Sequence, residues 1–227
     1  MISVVVPVYN EEKTLNEFIS YIGKIISNRD VELIFVDGGS TDLTREVCEK
    51  SRAKLYDSPN KGRAAQMNFG ASKAKGDILY FLHADSFPPK SFVDDIYENI
   101  KKGFHSGCYK LSFDSGELIL KFYTWFTKFN VDVFRFGDQS LYVRKEIFEK
   151  VGGFNDSLIV MEDQQIVRDI KKHAKFIIMN DAITTSSRKY KRIGFLKLQL
   201  IFTLIVILFY MRVNQDVLVD FYSTQIN

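Results

Sequence analysis

Two acidic loops, each closing an apolar run of β-formers, hold the side chains best suited to chemistry. Glu32-Leu33-Ile34-Phe35-Val36 runs into Asp37-Gly38-Gly39-Ser40-Thr41-Asp42, and Asp77-Ile78-Leu79-Tyr80-Phe81-Leu82 runs into His83-Ala84-Asp85. An apolar run that stops at Asp followed by Gly or Ser reads as a buried parallel strand opening into a loop. Ligands of open α/β sheets bind beyond the carboxyl ends of such strands. Two carboxylate loops there point to a polar or metal-bound ligand. Glu162-Asp163 opens a later helical stretch, where paired acids can exchange protons with a ligand or simply favour the helix dipole. Asp138, in Phe136-Gly137-Asp138-Gln139, is a further acid with a turn as its plain alternative. Lys61 and Arg63 flank Gly62 and offer cationic donors suited to phosphate, or form an exposed basic turn.

The elements that must position these groups alternate in the first half. Ile2–Val8 is a strand that leaves the sheet near Pro7. Asn10 is placed to cap the following helix, on which Leu15, Phe18, Ile19, Ile22 and Ile26 form one stripe. A short helix with Leu43 and Val47, a weak strand over Ala53–Tyr56, a turn at Pro59–Gly62 and a helix through Ala64–Asn68 precede the second acidic strand. Pro88 and Pro89 then start a helix carrying Phe92, Ile96 and Ile100. This order predicts a doubly wound, mostly parallel sheet flanked by helices. The second half reads as strands over Cys108–Phe113, Ser140–Val143 and Phe176–Met179, a helix ending at Gly152-Gly153, and an aromatic stretch between Phe122 and Phe136.

Composition narrows the class. A 227-residue chain with 46% hydrophobic and 26% charged residues is globular, and its net charge of +3 is too small to indicate nucleic acid. Cys48 and Cys108 form no metal or disulfide pattern. With polar residues starting at Asn10 there is no secretory signal, so a cytoplasmic location is expected.

In order, Val6-Pro7-Val8-Tyr9-Asn10-Glu11, Asp37–Asp42, Asn60-Lys61-Gly62-Arg63, Gly76-Asp77, His83-Ala84-Asp85, Gly152-Gly153-Phe154 and Glu162-Asp163 resemble the family 2 glycosyltransferases of the GT-A fold over residues 2 to about 190. Gly62–Asn68 with His83-Ala84-Asp85 also resembles the radical-SAM/selenodomain-associated transferase 2 type. The resemblance implies a single Rossmann-like GT-A domain over residues 1–192 and inverting transfer of a hexose-type sugar from a nucleotide-diphosphate sugar to a hydroxyl. It places the nucleoside against Pro7, Tyr9, Glu11 and Asp37, and the diphosphate near Lys61 and Arg63. A divalent Mg or Mn ion falls to Asp85, with His83 as a second candidate ligand. The family's usual Asp-x-Asp lacks its first carboxylate here, and imidazole is a poor magnesium ligand. Asp163 is the expected base, with Glu162 supporting it, and Asp138 is expected to contact sugar or acceptor. Ser187-Arg188-Lys189-Tyr190 faintly resembles the arginine-aromatic motif that closes over the diphosphate in processive relatives.

Residues 193–227 form a separate C-terminal extension whose apolar run, Leu198–Met211, falls short of the roughly 20 residues that span a bilayer. Lys189, Lys191, Arg192, Lys197 and Arg212 flank it, so a helix lying on the cytoplasmic face of a membrane is expected, with a buried helix or a dimer contact as alternatives. A lipid-linked acceptor fits the same features. Two other readings stay open: a sugar-1-phosphate nucleotidyltransferase, which lacks the Gly-rich loop it needs after the first strand, and a non-catalytic nucleotide-sugar-binding protein.

Overall fold

A computed structural model describes residues 1–226. In chain order it contains β1 (Ile2–Val8), α1 (Glu12–Ile26), β2 (Val31–Asp37), α2 (Thr44–Glu49), β3 (Lys54–Asp57), α3 (Arg63–Lys73), β4 (Ile78–Phe81), β5 (Ser86–Phe87), α4 (Phe92–Lys101), β6 (Ser106–Phe113) and α5 (Leu118–Trp125). These are followed by β7 (Leu141–Arg144), α6 (Lys145–Lys150), α7 (Glu162–Lys171), β8 (Phe176–Thr185), α8 (Arg188–Ile193), α9 (Phe195–Tyr210) and α10 (Gln215–Ile226). Single 3₁₀ turns at 126–128, 132–134 and 137–139 fill the aromatic stretch between α5 and β7.

One eight-stranded sheet runs β3-β2-β1-β4-β7-β6-β8-β5. Strand alternation divides its core in two. Val4, Val6, Val8, Leu33 and Phe35 face α1 and α4 through Leu15, Phe18, Ile22, Phe92 and Ile96. Val5, Ile34 and Val36 face α3 and α7 through Ala64, Met67, Ala71, Ile166 and Ile170. The apolar runs without polar interruption therefore belong to strands covered on both sides. β1, β2, β3 and β4 are mutually parallel, as an α/β sheet of the GT-A type requires.

The other half departs from a wholly parallel sheet. β7 pairs antiparallel with both β4 and β6, and β5 pairs antiparallel with β8, while β6 and β8 are parallel. The segment between β6 and β7 contains α5 and the three 3₁₀ turns and brings the chain back antiparallel to β6.

The sheet opens between β1 and β4. Their pairing stops at Val5 and Phe81, while β1 continues beside β2 to Val8 and Asp37. Pro7 lies in this unpaired part of β1, where its missing N–H costs no hydrogen bond to β4. The strand order reverses here, the position where such sheets form a ligand crevice. Asn10 does not cap α1. It takes a left-handed φ of 54° and its Oδ1 accepts from the Thr41 amide at 2.8 Å. The α1 entrance is instead held from the neighbouring loop: Thr44 Oγ1 accepts from the Glu11 amide at 2.7 Å and Asp42 Oδ2 from the Glu12 amide at 3.2 Å. The helix after Pro88, α4, begins at Phe92 behind Ser91.

α3 sits very close to the sheet at Gly70, where a Cβ would overlap Val5 Cγ1 and stand 2.9 Å from Val36 Cγ2. Gly70→Ala should therefore destabilise the protein by about 1–2 kcal/mol, overpacking outweighing the helix propensity of alanine. Urea unfolding checks this, and an unchanged or higher midpoint would contradict the close seating of α3.

Candidate functional site

The loops after β1 and β2 form one wall of the crevice. Asp37 is buried at the end of β2, and its carboxylate accepts from the Gly39 amide at 3.3 Å, the Ser40 amide at 3.1 Å and Ser40 Oγ at 2.5 Å. Its first duty is thus to shape the Gly38–Ser40 loop. Pro7 is half-buried at the head of this wall, and Tyr9 is 56% exposed beside it, a free aromatic surface. Glu11 Oε2 accepts from Thr14 Oγ1 at 2.9 Å and pairs with Arg188 Nη2 at 3.1 Å. That ion pair joins the β1 loop to the start of α8. Lys61 is exposed on the turn before α3.

The opposite wall is acidic. Asp85 is held by its backbone: β5, directly after it, pairs with the end of β8, and its carbonyl accepts from the Ser186 amide at 3.2 Å. His83 Nδ1 lies 2.9 Å from Asp138 Oδ1, and one ligand atom from each of His83, Asp85 and Asp138 falls within 4.8 Å of the others. Asp138 comes from the 137–139 turn, which Gln139 pins by donating to the Tyr109 carbonyl and accepting from the Phe136 amide. This places beside His83 a carboxylate from a different segment, where the sequence motif has only one acid.

Glu162 and Asp163 enter from the first turn of α7. Met161 precedes them with φ 69°, a strained left-handed conformation for a side chain of its size, and this turns the helix start into the crevice. Arg63, at the start of α3, lies with Nη1 3.5 Å from Glu162 Oε1 and 3.9 Å from Asp163 Oδ2. Gly137 closes the arrangement. A Cβ there would overlap Asp163 Oδ2 and stand 2.7 Å from His83 Cε1, so only glycine lets the two side chains meet across this turn.

The charges divide unequally. Burial raises the Asp163 carboxyl above the usual carboxylate range, against the lowering pull of Arg63 and His83. Burial and the nearby Asp138 raise Asp85. Asp138 itself is lowered, since His83 and Arg63 outweigh its burial. His83 is raised: burial and Arg63 oppose its charge, but Asp138 prevails. Burial, then repulsion from Asp163, pushes Glu162 up to about 7. Asp163 keeps 20% of its side chain exposed, whereas Glu162 is buried.

Sequence reasoning named Gln66 and Asn68 only as parts of a motif. Gln66 is buried and its Nε2 donates to the Val8 and Val36 carbonyls at 2.9 and 2.8 Å, tying together the ends of β1 and β2. Asn68 exchanges hydrogen bonds with the Phe154 backbone at 2.8 and 2.9 Å, fastening the Gly152-Gly153-Phe154 turn to α3. Amides inside an otherwise apolar helix face were the available signal. Residues 193–226 pack on the site: Tyr210 of α9 donates to Gln164 Oε1 at 3.2 Å, and Tyr222 of α10 accepts from Lys189 Nζ at 2.7 Å.

A model of glycosyl transferase family 2 matches residues 3–144. Glycosyltransferase GlyG of Streptococcus pneumoniae is 35% identical over 108 residues, covering 45% of this chain and 36% of GlyG. Undecaprenyl-phosphate 4-deoxy-4-formamido-L-arabinose transferase of Pseudomonas fluorescens is 32% identical over 113 residues, covering 45% of this chain and 33% of the relative. The matches span about a third of the length of these relatives. S. aureus TarS 1–349 in complex with UDP-GlcNAc superposes with a TM-score of 0.68 at 18% identity, over 82% of this chain and 58% of that one. Mannosyltransferase PcManGT from Pyrobaculum calidifontis, in complex with GDP-Man and Mn2+, gives 0.68 at 18%, over 81% and 56%. At these identities the shared property is the fold.

Glu162 makes stability depend on pH. Its carboxyl is ionised above about pH 4.5 in the unfolded chain but stays protonated in the folded one up to about 7, so its contribution falls as pH rises through that window. Glu162→Gln should remove this slope and gain on the order of 2–3 kcal/mol over wild type at pH 8 compared with pH 4. Denaturant unfolding at both values checks it, and parallel pH profiles would show that Glu162 is ionised in the folded protein.

Proposed function

The chain belongs to glycosyl transferase family 2, whose model matches residues 3–144, and from that premise we propose that it moves a sugar from a nucleotide-diphosphate donor to a hydroxyl acceptor with inversion. The observation that carries this reading is Asp163: a carboxylate of raised proton affinity, partly open to the crevice and held by Gly137 opposite a polar wall. Residues 1–192 are the transferase unit in this reading, and 193–227 the extension, of which 193–226 cover its acceptor side.

The nucleoside lies against Pro7, Tyr9 and Glu11, with its base over the loop that Asp37 organises. Tyr9 offers the aromatic face, and the diphosphate meets Lys61, Arg63 and Arg188, whose guanidinium forks suit phosphate oxygens. The solved relatives in complex with UDP-GlcNAc and with GDP-Man and Mn2+ support a donor of this class. His83, Asp85 and Asp138 fit a divalent ion: two carboxylates and one imidazole form a donor set closer to manganese than to magnesium. When bound, such an ion offsets the negative charge that builds on the departing diphosphate.

Asp163 accepts the proton of the acceptor hydroxyl as that oxygen attacks the anomeric carbon from the face opposite the diphosphate. The bond to the diphosphate breaks, and its electron pair leaves with the nucleotide. A carboxylate whose proton affinity is raised takes this proton better than a surface aspartate. Arg63, shared between Glu162 and Asp163, keeps positive charge at the turn from acid wall to phosphate. Glu162 is buried behind it and supports Arg63, while Asp138 holds His83 and borders the sugar. The undecaprenyl-phosphate transferase among the relatives supports a lipid-linked acceptor.

Asp163→Asn preserves shape and loses the base. Turnover should fall by about 10²–10⁴-fold while donor affinity persists, and the wild-type product should carry the anomeric configuration opposite to the donor's. Kinetics with a donor panel and NMR of the product check both. Near-normal turnover in the variant, or a retained configuration, would remove Asp163 from this role.

A further inference from the structure

α9 is apolar apart from Lys197, Gln199 and Thr203, yet only one side of it is covered. Leu198, Ile201 and Ile205 are buried, and Leu198 shares a cluster with Leu120 of α5 and Tyr190 of α8. Leu196, Leu200, Leu204 and Ile207, at spacings of four, four and three, form a stripe left in solvent, with Leu200 66% exposed. α5 repeats the pattern beside it. Leu120 points inward, while Leu118, Phe122 and Trp125 stay outside, Trp125 at 51%. Two adjoining helices thus turn apolar faces to solvent, and an exposed apolar patch of this kind calls for cover.

The surrounding charge identifies that cover. Residues 188–213 contain six basic side chains and no acidic one. Among the described residues, Lys191, Arg192, Lys197 and Arg212 form no ion pair and are exposed. On the α5 side, exposed Lys128 lies with Nζ 3.8 Å over the Trp125 ring. A second copy would bring one basic rim against another, whereas anionic headgroups complement it. No described helix is long and apolar enough to cross a membrane. The 16 residues of α9 extend roughly 24 Å, less than a hydrocarbon core of about 30 Å. A helix of this kind lies in the interface plane, with tryptophan at headgroup level.

We propose that the joint α5–α9 face is a docking surface for an anionic lipid bilayer. α9 ends at Tyr210, hydrogen-bonded to Gln164, the neighbour of Asp163. The bilayer therefore abuts the acceptor side of the crevice, and an amphipathic acceptor reaches Asp163 without leaving it. That last step rests on the transfer reading; the surface itself does not.

Trp125 is the only tryptophan in the chain, so its fluorescence reports on this face with no donor or turnover involved. Failure of docking and failure of the transfer reading are thus separately visible. The full chain is titrated with vesicles of phosphatidylcholine alone and of phosphatidylcholine with phosphatidylglycerol. Emission should shift to shorter wavelength with the anionic vesicles only, and binding should weaken with salt. Lys197→Gln should lower the partition coefficient about fivefold, and Leu200→Glu by more than that, each with an unchanged melting temperature. Lys197→Gln keeps the test open should Leu200→Glu fail to fold. No shift with anionic vesicles, or an equal shift with both kinds, overturns the proposal. A shift that follows protein concentration without lipid shows that a second copy covers the face, and overturns it too.

Discussion

Asp85, Asp138, Glu162 and Asp163 converge on one crevice, opposed chiefly by His83 and Arg63 and from farther off by Arg188 and Lys189, and their mutual repulsion is what the surrounding elements must withstand. Left to themselves, carboxylates at this spacing separate into water. Here they are held by backbone rather than by one another: Asp85 by the pairing of β5 with β8, Asp138 by the turn that Gln139 pins, and Glu162 and Asp163 by the helix start that Met161 bends. The response is a divided titration, with Asp138 lowered beside His83 and the other three acids raised. Separation of proton affinities among neighbouring acids is what distinct roles in one site require.

A single helix connects this acidic wall to the rest of the sheet. Along α3, Arg63 faces Glu162 and Asp163, Gln66 ties the ends of β1 and β2, Asn68 fastens the turn before α7, and Gly70 seats the helix on Val5 and Val36. Arg63, Gln66 and Gly70 are spaced three and four residues apart along one face and Asn68 lies on another, and each contact is long in sequence. Moving α3 by a fraction of an ångström would therefore shift the nucleotide wall and the acidic wall together. This is a physical reason for the buried part of α3 to carry amides among its apolar side chains.

The parts of this arrangement legible in the sequence are those with a local signature. Runs of β-formers located β1, β2 and β4, the last two by the acidic loops they open into, and helical spacing located the buried faces of α1 and α4. Side-chain partners were far less legible. Asn10 has the chemistry of a helix cap, but the loop after β2 lies close enough to supply Asp42 and Thr44 instead. The antiparallel entry of β7 depends on pairings remote in sequence, beyond the reach of periodicity. Asp138 meets His83 across 55 residues, and nothing near Gly137 announces that its missing Cβ makes room for Asp163. The apolar run after Leu198 was legible as a helix with a basic rim, but the contact between Tyr210 and Gln164 was not.

Relief of carboxylate repulsion can be measured without knowing the donor or the acceptor. The melting temperature of the wild-type protein is followed as Mn2+ alone is added, beside Asp85→Asn and Asp138→Asn. If His83, Asp85 and Asp138 share a cation, Mn2+ stabilises wild type by on the order of 2–3 kcal/mol once it reaches about a hundredfold over its Kd. Without metal, Asp85→Asn should melt higher than wild type, having lost a buried repelling charge, whereas Asp138→Asn should melt lower, having lost the partner of His83, and neither should gain much from Mn2+. A wild-type melting temperature indifferent to Mn2+, or an equal rise in all three proteins, would contradict the convergence of these carboxylates on a shared cation.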